Sequence, residues 1–423
     1  MAKAEGVPNA RFVEYPPPNI SAQSPEEVRE YAEALFDKVI EALTKEVAST
    51  EGTQTVVEPD PRDIVFKGTF DEVNKYFYEN QWTDGLPIVP PTIEKVQEFL
   101  QYTDRSPDEV IGVLEPGKRE ATIWKIAVNG VMAGCRPEYM PVLIAVAEAV
   151  ADPRFGIQHA GSTSGWAPFI ILNGPIVNQL DFNSGPGATR PGRQANITVS
   201  RFLRLFMINV PRYLVGVTDK ATFGQNYYGV LAEAESDSPW EPLTVDRGFK
   251  RGANVVTVTS AETISDAFAS FGEGERQLKT IAWQAARLLS TVPAILGFGR
   301  ERSVVVTFSP LVANLIAKGK YSKQDVKQYL FQNVRMRASE FDTILTEGTA
   351  CSFVEAGRLE KQFCESTDPD RMLPLVHSPN DFLIVVSGDP TRNRSFITLQ
   401  GGEQGLATSK EIKLPSNWNG FKK

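Results

Sequence analysis

The chain has 423 residues, of which 42% are hydrophobic and 23% charged, and 52 Asp and Glu outnumber 44 Lys and Arg to give a formal net charge of -8. This is the make-up of a folded globular protein too long for one ordinary core, so two or three domains are expected. The acidic balance argues against a broad electropositive face for nucleic acid, and no run of about 18 uninterrupted apolar residues offers a membrane span.

The first residues, Met1-Ala2-Lys3-Ala4-Glu5-Gly6, lack the basic and apolar segments of a secretory signal. Cys135, Cys351 and Cys364 form an odd and sparse set, which fits free thiols in a reducing compartment, so a cytoplasmic protein is expected. Residues 1–23, with Pro16, Pro17 and Pro18 in a row, read as an extended arm. Ser24, Pro25 and Glu27 then make a helix start with a capping box, and Val28, Leu35, Val39 and Leu43 give the helix an apolar face. So short a segment cannot build its own core, so residues 1–47 are expected to be an assembly element that packs on another chain. Residues 48–62 are polar, without a helical period, and read as a linker.

Thr69 and Glu72 frame a second capping box, the stretch WTDGLPIVPPT from Trp82 is irregular, and Ser106, Pro107 and Glu109 predict a third helix start. From Ala121 to Met132 and from Met140 to Val150 the chain is apolar almost all round, which predicts two buried helices broken apart by Gly134-Cys135-Arg136-Pro137. Short apolar runs at Phe169 to Leu172, Val255 to Val258, Val304 to Phe308 and Leu383 to Val386 predict buried strands, the third leading through Ser309-Pro310 into a helix. Gly248 to Gly252 is a turn-rich candidate boundary. The expected fold is α/β, with mixed sheets and buried helices: an N-terminal arm, helix and linker over 1–62, then a two-domain body over 63–250 and 251–423.

Cys135 lies between Gly134 and Arg136 before a helix begun by Pro137, where an adjacent cation and a helix N-terminus both favour thiolate. It reads equally as a small buried residue in a helix corner. Glu138 serves either the helix dipole or acid–base catalysis. His159, in a polar loop, is a catalytic candidate or a structural histidine. The loop from Asn183, Ser184 and Gly185 through Arg193 to Asn196 precedes an apolar helix with Arg201 and Arg204, so its amides either hold an anion or shape a turn. Its spacing matches neither the dinucleotide fingerprint nor the P-loop. The carboxylates Glu233, Glu235 and Asp237 read as a solvated acidic turn or as oxygen ligands for a metal.

Several pieces together, WTDGLPIVPPT, VNGVMAGCRPEYMPVLIAVAEA with Asn129 and Cys135, NSGPGATRPGRQAN from Asn183, Thr222 to Gln225, Pro239-Trp240 and the Ser322 to Leu330 helix, resemble the long chain of the UGSC family. That family is named for a selenocysteine- or cysteine-Gly-Ser-Cys motif, which this chain lacks. The helix after Ser24 resembles the last helix of the missing domain. The resemblance implies a small partner subunit that carries the motif, a hetero-oligomer, and reductive or nucleophilic sulfur chemistry on a small molecule. Members often carry a histidine after the strand at Val304 to Phe308, where this chain has Pro310-Leu311-Val312, so no role for that histidine transfers.

The expected site brings together Cys135 as thiol and Glu138 as proton donor or acceptor with His159, around a substrate held by Asp84, Gly85, Asn129, Asn183, Ser184, Gly185, Arg193, Asn196 and Gln225. No cofactor or metal follows from these residues. The rival readings are a metal- or carboxylate-dependent hydrolase or lyase, and a non-catalytic scaffold subunit.

Overall fold

A computed structural model describes residues 10–15, 23–45, 60–159, 165–225, 229–291, 301–344, 349–357, 359–401 and 405–418. The chain divides into two compact units, residues 1–63 and 64–423. In the first, helix α1 (Pro25–Thr44) starts with the predicted capping box: the Ser24 hydroxyl accepts from the Glu27 amide at 3.2 Å and the Glu27 carboxylate accepts from the Ser24 amide at 2.8 Å. α1 buries none of its side chains, and Phe36, Val39, Ile40 and Leu43 are exposed. Pro16 to Pro18 and most of the expected linker lie outside the described residues.

The second unit runs through α2 (Phe70–Glu79), α3 (Ile93–Leu100), β1 (Val110–Leu114), β2 (Arg119–Thr122), α4 (Ile123–Met132), α5 (Met140–Ala151), β3 (Ala167–Asn173), α6 (Ile176–Gln179), α7 (Gln194–Asn209), β4 (Val230–Ala232) and α8 (Leu243–Asp246). It continues with β5 (Val255–Ala261), β6 (Thr263–Ile264), β7 (Phe268–Ala269), α9 (Glu275–Thr291), β8 (Val304–Phe308), α10 (Pro310–Lys318), α11 (Lys323–Asn333), β9 (Arg335–Arg337) and α12 (Ala338–Ile344). It ends with α13 (Thr349–Glu355), β10 (Met372–Pro374), β11 (Phe382–Val386), β12 (Arg394–Leu399) and β13 (Thr408–Glu411).

Two mixed sheets stack at the centre. One has the order β13-β5-β3-β4, with β3 parallel to β4 and antiparallel to β5; the other has the order β11-β8-β12-β6, with β11 parallel to β8 and β7 also on β12. Side chains alternate across each strand, so Ile170 and Leu172 of β3 face helices α4, α5 and α7 while Phe169 and Ile171 meet Val305, Leu383 and Val385 of the other sheet. Val304, Val306 and Phe308 of β8 face α9, α10 and α11. The result is helix, sheet, sheet, helix in four layers. Strands covered on both faces are apolar throughout, and this is why the sequence showed short unbroken runs in place of alternation.

Three expectations need correction. Ser106 does not start a helix: the Glu109 carboxylate is taken by Arg105 at 2.7 Å, and the chain enters the antiparallel pair of β1 and β2 instead. The expected boundary at residue 250 falls inside one body, because β5 and β13 come from beyond it and pair in the sheet of β3 and β4. Cys351 and Cys364 are joined in a disulfide, α13 and the turn at Lys361–Phe363 bringing their Cα atoms to 5.2 Å, so the argument from free thiols rests on Cys135 alone. Among the described residues no helix is long and apolar enough to cross a membrane.

Candidate functional site

Helix α7 organises the polar groups. Its apolar residues, among them Val199, Phe202, Leu203 and Phe206, are fully buried in the core above the first sheet. Two neighbouring stripes remain. One carries Gln194, Thr198 and Arg201 toward the Cys135 corner; the other, at four-residue spacing, presents Ser200, Arg204 and Ile208 to a cavity of about 700 Å³.

The far walls of that cavity come from Tyr78, Glu79, Thr83 and Asp84 at the end of α2 and the loop after it, from Ala167 and Pro168 at the start of β3, and from Gln225. Asp84 is fixed: its carboxylate accepts two hydrogen bonds of 2.9 Å from Arg201, and only 1% of its side chain is exposed. Arg201 also donates to the Pro87 carbonyl at 2.8 Å, which ties α7 to the irregular loop. Gln225 donates to the Glu262 carbonyl at 2.6 Å. Arg204 is held loosely by comparison, its guanidinium 3.9 Å from the Asp219 carboxylate with a quarter of the side chain exposed. Such a site offers the Arg204 guanidinium, the fixed carboxylate of Asp84, the carboxylate of Glu79, hydroxyls and an amide, a set that suits a small polar molecule with a negative group at Arg204.

The Cys135 corner is closed. Gly134, with φ of 78°, ends α4 in a left-handed conformation, and the chain turns under α7, where Gln194 donates to the Gly134 carbonyl at 3.1 Å. Gly130 lets the corner pack, since a Cβ there would stand 2.6 Å from a Leu143 methyl. Cys135 is buried, and burial pushes its thiol up to about 12 in spite of the Thr198 hydrogen bond and the Arg201 charge. It is a neutral thiol at physiological pH, which corrects the thiolate expectation. Glu138 is paired with Arg136, whose guanidinium lies 5.5 Å from the centre of the Tyr139 ring. His159 is exposed at the end of the turn Ile157–His159, and the residues that follow it, 160–164, lie outside the described residues.

The glycine-rich loop is shaped by its own asparagines. The Asn183 amide donates to Asn196 Oδ1 at 2.8 Å, and Asn196 Nδ2 donates to the carbonyls of Asn183 at 3.1 Å and Val230 at 2.7 Å. Gly185 donates to Asn183 Oδ1 at 3.0 Å, and the Ser184 carbonyl accepts from Gly388 at 2.8 Å. Arg193 pairs with Asp181 at 2.8 Å on the surface. Asn129 is buried between α4 and α7, donating to the Lys125 carbonyl at 2.9 Å and accepting from Asn209 at 2.8 Å. Of the expected residues, Asp84 and Gln225 line the cavity; Gly85, Asn129, Cys135, Glu138, His159, Asn183, Ser184, Gly185, Arg193 and Asn196 do not. Ser200 was missed, and its signal was available as a polar residue four positions before Arg204, on the same side of the helix.

The acidic turn is solvated at Asp237, which is exposed, and half-buried at Glu235, whereas Glu233 just before it is not solvated. Glu233 is buried and accepts from Asn173 Nδ2 at 2.6 Å, the Leu243 amide at 2.9 Å and the Val386 amide at 3.4 Å, so it bridges the two sheets. Burial raises its pKa against the pull of Lys323 and these donors. Glu235 accepts from the same Asn173 amide at 3.0 Å and from the Gly174 amide at 2.8 Å. Among the described residues no three His, Cys, Asp or Glu side chains stand close enough to hold a metal ion.

No protein-family model, curated protein or solved structure matches this chain.

Proposed function

We propose that the chain is the substrate-binding subunit of a small-molecule enzyme, and that it holds a small carboxylate in the cavity beneath α7 with Arg204 as counter-charge. The observation that carries this reading is the contrast between two arginines one turn apart: Arg201 is held by Asp84 and Pro87, whereas Arg204 lines the cavity with, among the described residues, a 3.9 Å ion pair. The cavity's volume of about 700 Å³ suits a metabolite-sized ligand.

Sulfur chemistry in this reading belongs to another chain, because Cys135 is buried and protonated. The resemblance to the UGSC family supplies the source, a small subunit with a Cys-Gly-Ser-Cys motif, and the exposed apolar residues of α1 supply a place to bind it. The test is ligand-detected NMR on the full chain with small mono- and dicarboxylates, and with amines and polyols of equal size as controls. Carboxylates are expected to bind saturably and the controls not; equal binding of amines or polyols refutes the reading.

A further inference from the structure

A second cavity, of about 520 Å³, opens on the other side of the sheets, where Pro239 and Trp240 meet the first turns of α11. Its wall holds two lysines, Lys323 and Lys327, that are 8% and 7% exposed. They are four residues apart on one helix face, and both ammonium groups point at one oxygen of Asp246, at 3.1 and 3.0 Å. Two like charges that share a single carboxylate atom repel strongly where water is scarce. Arg251 at the rim is matched by Glu241 at 2.9 Å, and both are largely exposed. Glu233 lies behind Lys323, where burial works against its ionised form. Asp325 is occupied by the capping box of Ser322. Among the residues that line the cavity, the cations Lys323, Lys327 and Arg251 outnumber the carboxylates Asp246 and Glu241 by three to two.

Donors are available as well. Lys323 donates to the Glu241 carbonyl at 2.9 Å and pairs with Asp246, and Lys327 donates to Asp246 alone among the described residues. An ammonium group has three N–H bonds, so both side chains retain donors for a ligand. Ser322, Lys323 and Gln324, the first turn of the 11-residue helix α11, line the same cavity and add the positive end of the helix dipole.

We infer that this cavity binds a small phosphorylated molecule, its phosphate between Lys323, Lys327 and the start of α11 and its organic part against Pro239 and Trp240. A phosphate carries close to two negative charges at neutral pH and has several acceptor oxygens, which matches two adjacent ammonium groups better than a single carboxylate does. The inference does not rest on the α7 cavity.

The experiment is calorimetric titration of the full chain with inorganic phosphate and with a sugar phosphate, and with methanesulfonate at equal ionic strength. Saturable phosphate binding is expected, weakened at least about tenfold by Lys327→Gln and by Lys323→Gln and unchanged by Lys279→Gln on the exposed face of α9. As a readout that needs no variant, phosphate is expected to slow acetylation of Lys323 and Lys327 in the wild-type chain, measured by mass spectrometry. No saturable phosphate binding, methanesulfonate binding as tight as phosphate, or acetylation that phosphate leaves unchanged overturns the inference.

Discussion

The two stripes of α7 carry similar chemistry and end in different states. On one, Gln194, Thr198 and Arg201 close over Cys135 and Asp84, each making at least one hydrogen bond there. On the other, Ser200 and Arg204 border open space, and among the described residues the arginine keeps one distant ion pair. Residue types alone favoured the first stripe, because a cysteine beside an arginine before a helix looks like a nucleophile. Burial reverses the ranking: desolvation raises the thiol more than the cation and the hydroxyl lower it. Along α7 the closed stripe ties the scaffold together, and the cavity opens beside the stripe whose arginine is held less tightly.

That contrast is open to measurement, starting with its largest consequence. Glu233→Ala removes a buried carboxylate that collects three N–H donors, so unfolding in urea should show a loss of about 3 kcal/mol or more. A loss under about 1 kcal/mol would mean that saturated groups do not carry the scaffold. Asn196→Ala, which strands the Asn183 amide and the Val230 carbonyl, should cost about 2 kcal/mol. In the open stripe Arg204→Gln should cost less, about 1 kcal/mol, since the buried Asp219 loses a cation that stands 3.9 Å away and keeps the Ala221 amide at 3.1 Å.

Reactivity sharpens the same comparison. A thiol that titrates at about 12 is about 10⁻⁴ ionised at pH 8, against about a quarter for an ordinary thiol, so alkylation of Cys135 in the native chain should be about a thousandfold slower than that of glutathione. Modification at a rate like glutathione's would reopen the thiol reading.

The smallest effect concerns His377, which burial holds below its ordinary value of 6.5 although the nearby Asp381 charge opposes this. The unfolded chain takes up that proton more readily, so stability should be full above about pH 6.5 and fall as the pH drops from there toward the folded-state value. His377→Gln should flatten that part of the pH profile.

Much of the fold was legible because burial on both faces leaves a mark in the sequence. The runs at Val304 to Phe308 and Leu383 to Val386 became the parallel pair β8 and β11, and the apolar segments on either side of Gly134 became α4 and α5. What could not be read were relations between distant segments. Ser106 looked like a cap until Arg105 claimed Glu109, and residue 250 looked like a boundary until β13 closed the sheet of β5. In the site, Asp84 and Gln225 were legible as polar residues in irregular loops. The standing of Cys135 was not, because it depends on Thr198 and Arg201 some sixty residues away in the chain and on how tightly α7 packs over them.

The central claim is tested most directly by dissociation constants for the tightest-binding small carboxylate, measured on the wild-type chain, Arg204→Gln and Cys135→Ser at matched folded fraction. The account predicts at least about tenfold weaker binding for Arg204→Gln and binding within about twofold of wild type for Cys135→Ser. The reverse pattern, with Cys135→Ser losing the ligand while Arg204→Gln keeps it, would contradict the account and return the site to the cysteine corner.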